Sequence, residues 1–391
     1  MELNYKGKKE ISEIKAIIEE KSSTLPAISS TNKNGLYIYG DNFDVMSQLL
    51  QNYRGKVDLI YIDPPFNTTG TFFYNEERTS TISHSKKDQL AYNDNLTLDE
   101  YLEFIRERAF LMRELLSEKG SLYFHIDSKV GHYVKIILDE VFGIENFVND
   151  ISRIKSNPKN FSRNAFGNEK DVIYIYSKTP KKNIFNNITQ PLSKDDISRL
   201  FGKVDEKGRA YTTVPCHAPG ETASGPTGGL WRDMAPPPGR HWRCNPEELE
   251  RLDKEGLIEW SSKGNPRIKK FADDSKGKKI QDVWLDYKDP QYPIYPTEKN
   301  SEMLDMIVKQ SSNENSIIMD CFCGSGSLLK AGLRNNRKVI GIDKSEASIA
   351  CISKSSELKN LDFINIPGGF DFQKPEPELD LFESCMDKKI G

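Results

Sequence analysis

From residue 35 onward the chain alternates two hydrophobic periods, and this alternation limits the fold more than any other feature. GLYIYGDN, VDLIYI, GSLYFHID and DVIYIYSK are short runs rich in β-branched and aromatic residues, which read as buried strands. FDVMSQLLQNY, the stretch from about Thr97 to Glu118, and VGHYVKIILDEVFG carry apolar residues on one side at helical spacing. The rhythm returns near the end. SIIMD runs through a glycine turn into SLLKAGLRN, and RKVIGID is followed by another helical stretch. Strands alternating with helices predict an α/β fold, a mostly parallel sheet with helices on both faces.

Residues 181–290 break that rhythm. TTVPCHAPGETASGPTGGLWRDMAPPPGRHWRCNP is dense in Gly and Pro and is punctuated by the pairs Trp231–Arg232 and Trp242–Arg243. Four segments follow: a helix (Ile11 to Glu20) and polar linker over 1–34, an α/β half over 35–180, a loop-rich insert over 181–290, and a second α/β half over 291–391 ending in a Pro- and acid-rich tail. In a compact domain, an insert this long and irregular usually has a function of its own.

A chain of 391 residues that is 37% hydrophobic and 29% charged has the composition of a soluble globular protein. No apolar run reaches the roughly 18 residues of a membrane span. The charged N-terminus lacks a signal peptide's apolar core. Six cysteines without framework spacing predict reduced thiols and a cytoplasmic protein with no membrane partner. Cys321 and Cys323 form a CxC, but no second Cys/His pair stands at ligand spacing, so they read as small buried residues in a tight turn and no metal is expected. The net charge of −3 argues against a uniformly basic nucleic-acid binder. Residues 151–290 nonetheless hold 26 Lys and Arg against 19 Asp and Glu, the footprint of a local polyanion contact.

Two turns carry the chemistry. In VDLIYIDPPFNTTGTFFYN a strand over Val57 to Ile62 meets Pro64 and Pro65, which lack backbone N–H groups and must end it. Asp63 and Phe66 flank the rigid pair. They hold a carboxylate acceptor and a flat apolar face at fixed separation, suited to gripping something planar and polar at a strand's carboxyl end. In the second turn, IIMDCFCGSGSLLKAGL, Gly324 and Gly326 let a ligand approach the partly positive start of a helix. The next strand ends in Asp343, where a carboxylate can accept from ribose hydroxyls. No lysine is placed for a triphosphate, so the pattern fits a nucleoside with a cationic, non-phosphate tail: S-adenosylmethionine.

Together, FCGSG and DPPF resemble the amino-methyltransferases that modify exocyclic nitrogens of DNA bases. The clamp comes first, the insert second and the glycine turn last, an order similar to the permuted β group of adenine-N6 DNA methyltransferases. IYGDN, IYIDPPFNT, RELLSEKGSLYFHID, LDEVFG, GRHWRCNPEELERLDKEGLIEW, KGKKIQDVW and YPTEKN further resemble bacterial site-specific and type III modification enzymes. The likeness covers about residues 35 to 350.

The resemblance implies a Rossmann-like methyltransferase sheet with permuted motifs, and a target-recognition role for the insert. It implies that Asp63 and the Pro64 carbonyl accept the two hydrogens of an adenine N6 amino group, with Pro65 stiffening the turn and Phe66 stacking on a base flipped out of the duplex. For the cofactor it implies Asp320, Phe322, Gly324 and Gly326 beside the methionine part, with Asp63 close by, Asp343 at the ribose and Asp41 at the adenine amino group. Thr297 and Asn300 of YPTEKN stand where the family usually reads YPTQKP, and Thr297 offers itself as a helix N-cap. Arg232, Arg240, His241 and Arg243 suit phosphate and base-edge contacts. The implied partners are double-stranded DNA, a second copy of the chain and a restriction subunit.

Other readings stay open at this level. Cytosine-N4 is the alternative target, although that chemistry more often has Ser before Pro-Pro. A recognition subunit needing a partner for activity is another. Asp41 reads equally as a helix cap. His125 reads as a core strand residue, Asp127 as a cap, His84 as solvated, and the tryptophans as loop anchors.

Overall fold

The computed structural model describes residues 2–65, 72–74, 89–92, 96–156, 164–222, 225–290 and 298–366. The chain divides into two units, one formed by residues 1–187 with 281–391 and the other by 188–280.

The first unit is built on a nine-stranded sheet. Its strands are β1 (Gly35–Tyr39), β2 (Val57–Ile62), β3 (Leu116–Ile126), β4 (Phe147–Ile154), β5 (Lys170–Ser177), β6 (Val283–Trp284), β7 (Ile317–Asp320), β8 (Lys338–Asp343) and β9 (Asp362–Asn365). They lie in the order β6-β4-β5-β3-β2-β7-β8-β1-β9. The pairs from β3 through β2, β7, β8 and β1 to β9 are all parallel. The sheet is not parallel throughout, because β5 runs antiparallel to both β3 and β4. It is the Rossmann-like sheet that the resemblance implied, and its middle strands, β2 and β7, come from opposite sides of the insert.

Side chains alternate across each strand, and here both sets are buried. Leu36, Ile38, Ile60, Ile62, Leu122, Phe124, Met319 and Ile340 join one core with the helices α1 (Ile11–Thr24), α2 (Asn42–Tyr53), α3 (Leu98–Leu115) and α4 (Gly131–Phe142). The alternate residues Tyr37, Leu59, Tyr61, Tyr123, Ile318 and Val339 are buried too. Among them, Tyr123 bonds Ser311 in α5 (Ser301–Ser311) at 2.7 Å, and Tyr37 bonds Ser348 in α7 (Glu346–Lys354) at 3.1 Å; α6 (Ser327–Arg334) follows β7. A strand buried on both faces needs the near-continuous apolar runs seen in the sequence.

Helix ends follow local chemistry. Thr97 and Glu100 form a capping box at the start of α3. The expected cap at Thr297 is corrected: α5 begins at Ser301, and the cap is Asn300, whose side chain accepts from Met303 N. Thr297 itself lies outside the described residues, as do Phe66 and His84. Gly326 takes φ +73 at the start of α6, where a Cβ would stand 2.6 Å from Leu358 Cδ1, so packing as well as backbone demands glycine.

The second unit has a small sheet in the order 258–260, 266–271, 210–215, 203–204, with antiparallel neighbours. It also holds a hairpin of His217–Pro219 with Arg240–Trp242, a short antiparallel pair of Thr189–Gln190 with Lys278–Lys279, and helices over Lys194–Leu200 and Pro246–Lys254. Its core is Cys216, Trp231, Trp242, Leu249, Ile258 and Ile268. The insert's ends behave differently: Val283–Trp284 pairs with β4, and Asn186 N donates to Gln310 O, so both flanks belong to the first unit. Among the described residues, no helix is long and apolar enough to cross a membrane.

Candidate active site

Four acids follow four neighbouring parallel strands. Asp41 lies just past β1, Asp63 directly follows β2, and Asp320 and Asp343 are the last residues of β7 and β8. In the sheet these strands are adjacent in the order β2, β7, β8, β1. The carboxyl ends of parallel strands are where open α/β sheets bind ligands. The strand order therefore brings together residues that the insert separates in sequence.

Each acid is held differently. Asp343 accepts from Gly324 N through Oδ2 and from Ser345 N through Oδ1, both at 2.8 Å, which ties the glycine turn to the end of β8. Asp320 accepts from Phe322 N at 2.9 Å. Burial pushes the Asp320 carboxyl well above the usual range, and the charges of Asp63 and Asp343 push the same way. Burial likewise raises Asp343 against the three backbone N–H groups that oppose it. Asp41, the most open of the four, caps α2 through Phe43 N at 2.9 Å and pairs with Arg108 at 3.2 Å. Phe322 lies across from Phe104, with ring centres 6.1 Å apart. Cys321 and Cys323 are buried in this turn.

Asp63 is the most constrained. Lys299 Nζ lies 2.7 Å from Oδ2, and both side chains are largely buried. Oδ1 is enclosed and has no hydrogen-bond partner among the described residues. His125 Nδ1 stands 3.7 Å from it, beyond hydrogen-bonding reach. Behind Asp63, Tyr61 OH meets His125 Nδ1 at 2.8 Å, and His125 Nε2 meets Asp171 Oδ2 at 3.2 Å. Burial above all lowers the His125 pKa. The consistent arrangement is a neutral ring that accepts from Tyr61 and donates to Asp171. Asp171 is also bonded by Lys155 at 2.6 Å, and its carboxyl is held well below the usual range by His125 and Lys155 despite burial.

Several expectations need adjustment. Asn300, expected at the cofactor, has both ends of its amide engaged, since it caps α5 and donates to Lys288 O at 2.8 Å. Its neighbour Lys299, singled out by no spacing rule, is the residue that reaches the site. His125 is a core residue, as its strand position implied, but it also backs Asp63. Asp127 accepts from Lys129 N and so caps the following turn. Pro64 is buried and Pro65 half-buried beside Asp63.

The basic candidates all lie within the second unit. Arg232 bonds Glu250 at 2.8 and 3.0 Å and Asp253 at 2.7 Å, with its guanidinium 5.5 Å from the ring centre of Trp231. Its charge is matched by these acids within the second unit. Arg240 is exposed and reaches His217 Nδ1 at 3.3 Å. His241 Nδ1 lies 2.7 Å from Gly220 O, and Arg243 Nε donates to Pro215 O at 2.9 Å. Burial lowers the His217 pKa, and the cations of Arg240, Arg243 and Arg267 act the same way. Trp231 and Trp242 are buried anchors of this unit.

Comparison with known proteins places this architecture. The family model for DNA methylase, N6_N4_Mtase, matches residues 57–354. The type II methyltransferase M.EcaI of Enterobacter cloacae is 41% identical over 358 residues, which cover 88% of this chain and 75% of that protein. The type III restriction-modification enzyme StyLTI Mod subunit of Salmonella typhimurium is 26% identical over 337 residues, 78% of this chain and 51% of that subunit. Among solved structures, the PvuII DNA methyltransferase (cytosine-N4-specific) aligns with a TM-score of 0.43 at 14% identity, covering 86% of this chain and 92% of that one.

Proposed function

The chain belongs to the N6_N4 DNA methylase family, and from that premise we propose that it methylates the N6 amino group of adenine at a specific site in double-stranded DNA. It is an S-adenosylmethionine-dependent DNA methyltransferase of restriction-modification type. The observation that carries the adenine reading is Asp63, a carboxylate beside Pro64 at the end of β2 whose Oδ1 has no hydrogen-bond partner among the described residues.

The residues present suit the methyl donor. Asp320 is buried and accompanied by two further carboxylates, an environment in which a cationic ligand is stabilised and an anionic one is not. S-adenosylmethionine supplies an electrophilic methyl group on its sulfonium. Asp320, Phe322 and the Gly324 turn would hold its methionine part, Asp343 its ribose and Asp41 its adenine.

The chain's own residues then act on the target base. Asp63 and the Pro64 carbonyl accept the amino hydrogens, which draws the nitrogen toward sp³ character and turns its lone pair to the methyl group. As the nitrogen bonds to the methyl carbon, the carbon–sulfur bond breaks with its electron pair left on a neutral thioether sulfur, and the nitrogen then sheds a proton that the Asp63 carboxylate would accept. Reaching this nitrogen requires the base to leave the duplex, which costs a few kcal/mol. Stacking on Phe66 would return about 1–3 kcal/mol. Arg240 and Arg243 supply phosphate contacts from the second unit, with His241 beside them. Likeness to a Mod subunit supports a restriction subunit as partner, and the β-group resemblance supports a homodimer in the cytoplasm.

The experiment is direct. Purified chain is incubated with unmethylated genomic DNA and labelled S-adenosylmethionine, and the DNA is digested to nucleosides. N6-methyladenine in one short sequence context is expected. N4-methylcytosine would overturn the choice of base.

A further inference from the structure

The contact between Lys299 and Asp63 is unusual for its burial. Both side chains lie inside the first unit, yet neither motif containing them requires the other by spacing. Lys299 precedes the cap of α5, and Asp63 follows β2. An ammonium so enclosed is costly unless it is paired and hydrogen-bonded. Burial pushes Lys299 toward neutrality, and the charges of Asp63 and Asp289 more than reverse it. Among the described residues, the other groups around Asp63 are Tyr61 from its own strand β2, His125 from β3, Asp320 from β7 and, farther back, Arg153 with Asp289.

We propose that Lys299 is a positioning residue for methyl transfer: its ammonium holds Asp63 by Oδ2 and so fixes the orientation in which the carboxylate meets the target amino group. The inference rests on the proposed role of Asp63. Three features carry it. The bond is short and charge-assisted, a kind that sets direction as well as energy. His125, neutral and locked between Tyr61 and Asp171, stands behind the other oxygen without bonding it. Oδ1 is thus left as an acceptor with no partner among the described residues. Buried acceptors are rarely left unpaired, and those that are mark strain or function. Lys299 touches neither reacting atom; it acts through Asp63.

The test uses the full chain. Single-turnover transfer from labelled S-adenosylmethionine to genomic DNA is compared for wild type and Lys299→Met, with cofactor affinity measured by calorimetry. Misplacing a catalytic group by an ångström costs on the order of 10²-fold, so a fall of about 10²-fold in rate is expected, with cofactor Kd changed less than about threefold. In Lys299→Ala, ethylammonium should restore part of the rate and ethanol should not. A rate within about threefold of wild type, or an equal loss in cofactor affinity, would overturn the proposal. A second readout does not depend on activity, and the melting temperature of the variant used, Asp63→Asn, checks that it is folded. With ¹⁵N-labelled lysine side chains in the wild-type protein, one ammonium resonance should move on Asp63→Asn, and no response would also overturn it. Wild type that transfers nothing to DNA would defeat the functional reading instead, while the resonance still judges the contact.

Discussion

Asp343 Oδ2 accepts the Gly324 N–H at 2.8 Å, joining the last residue of β8 to the glycine turn after β7. The same carboxylate holds Ser345 N, so one side chain organises two loops at the carboxyl edge of the sheet. Asp343→Ala should leave both N–H groups without that acceptor, costing about 1–3 kcal/mol of stability. Cofactor affinity should fall at least tenfold (about 1.4 kcal/mol) with it. Thermal melts and calorimetry check both.

Asp63→Ala and Asp63→Asn should separate chemistry from structure. Either should reduce methyl transfer by at least about 10²-fold, the scale for losing one preorganised polar group, with cofactor binding mostly intact. Only Ala leaves the buried Lys299 without an oxygen partner at this position, so its melting temperature should drop further than that of Asn. Equal melting temperatures would show that the pair is not a structural constraint.

Gly326→Ala tests the turn itself. The left-handed conformation costs a side chain roughly 1–2 kcal/mol, and the collision with Leu358 adds to this. Denaturant melts should report a loss above about 2 kcal/mol, with weaker cofactor binding.

The two arginine classes in the second unit should part in salt titrations. Arg240→Ala should weaken DNA binding across sequences and lower the salt slope by about 1. Arg232→Ala should leave the slope unchanged and lower the melting temperature, because Arg232 is paired with Glu250 and Asp253. A reduced slope for Arg232→Ala would restore it as a phosphate contact.

His125 gives a pH dependence with a definite sign. Its folded-state pKa is lowered, chiefly by burial, so below the unfolded value of about 6.5 the unfolded chain takes up a proton that the folded chain resists. The contribution of His125 to stability should therefore fall as pH drops from about 7.5 to 5, while Asp320 and Asp343, with raised carboxyl pKa values, act in the opposite direction. Asp171 contributes little in that window: its depressed pKa adds stability that is lost progressively as pH falls from the unfolded value near 3.8 down through the folded one. His125→Gln should flatten the fall in melting temperature measured by calorimetry.

Much of this protein is local and therefore legible in the amino-acid order. The strand ending at Asp63, the prolines that stop it, the capping box at Thr97, and Gly326 before α6 are decided by backbone sterics and by hydrogen bonds within a few residues. The alternation of periods announced a sheet buried on both faces. What the tertiary structure decided is pairing at a distance. That β5 runs antiparallel, that β7 docks on β2 across the insert, and that Arg232 meets Glu250 rather than solvent depend on which surfaces meet after collapse. Lys299 is the sharpest case. Its neighbours in sequence suggested Thr297 and Asn300 as the functional positions, and only the packing of α5 against the sheet puts its ammonium on Asp63. Local chemistry acts through bonds and near neighbours, whereas a buried charge finds its partner only when the whole core has closed around both.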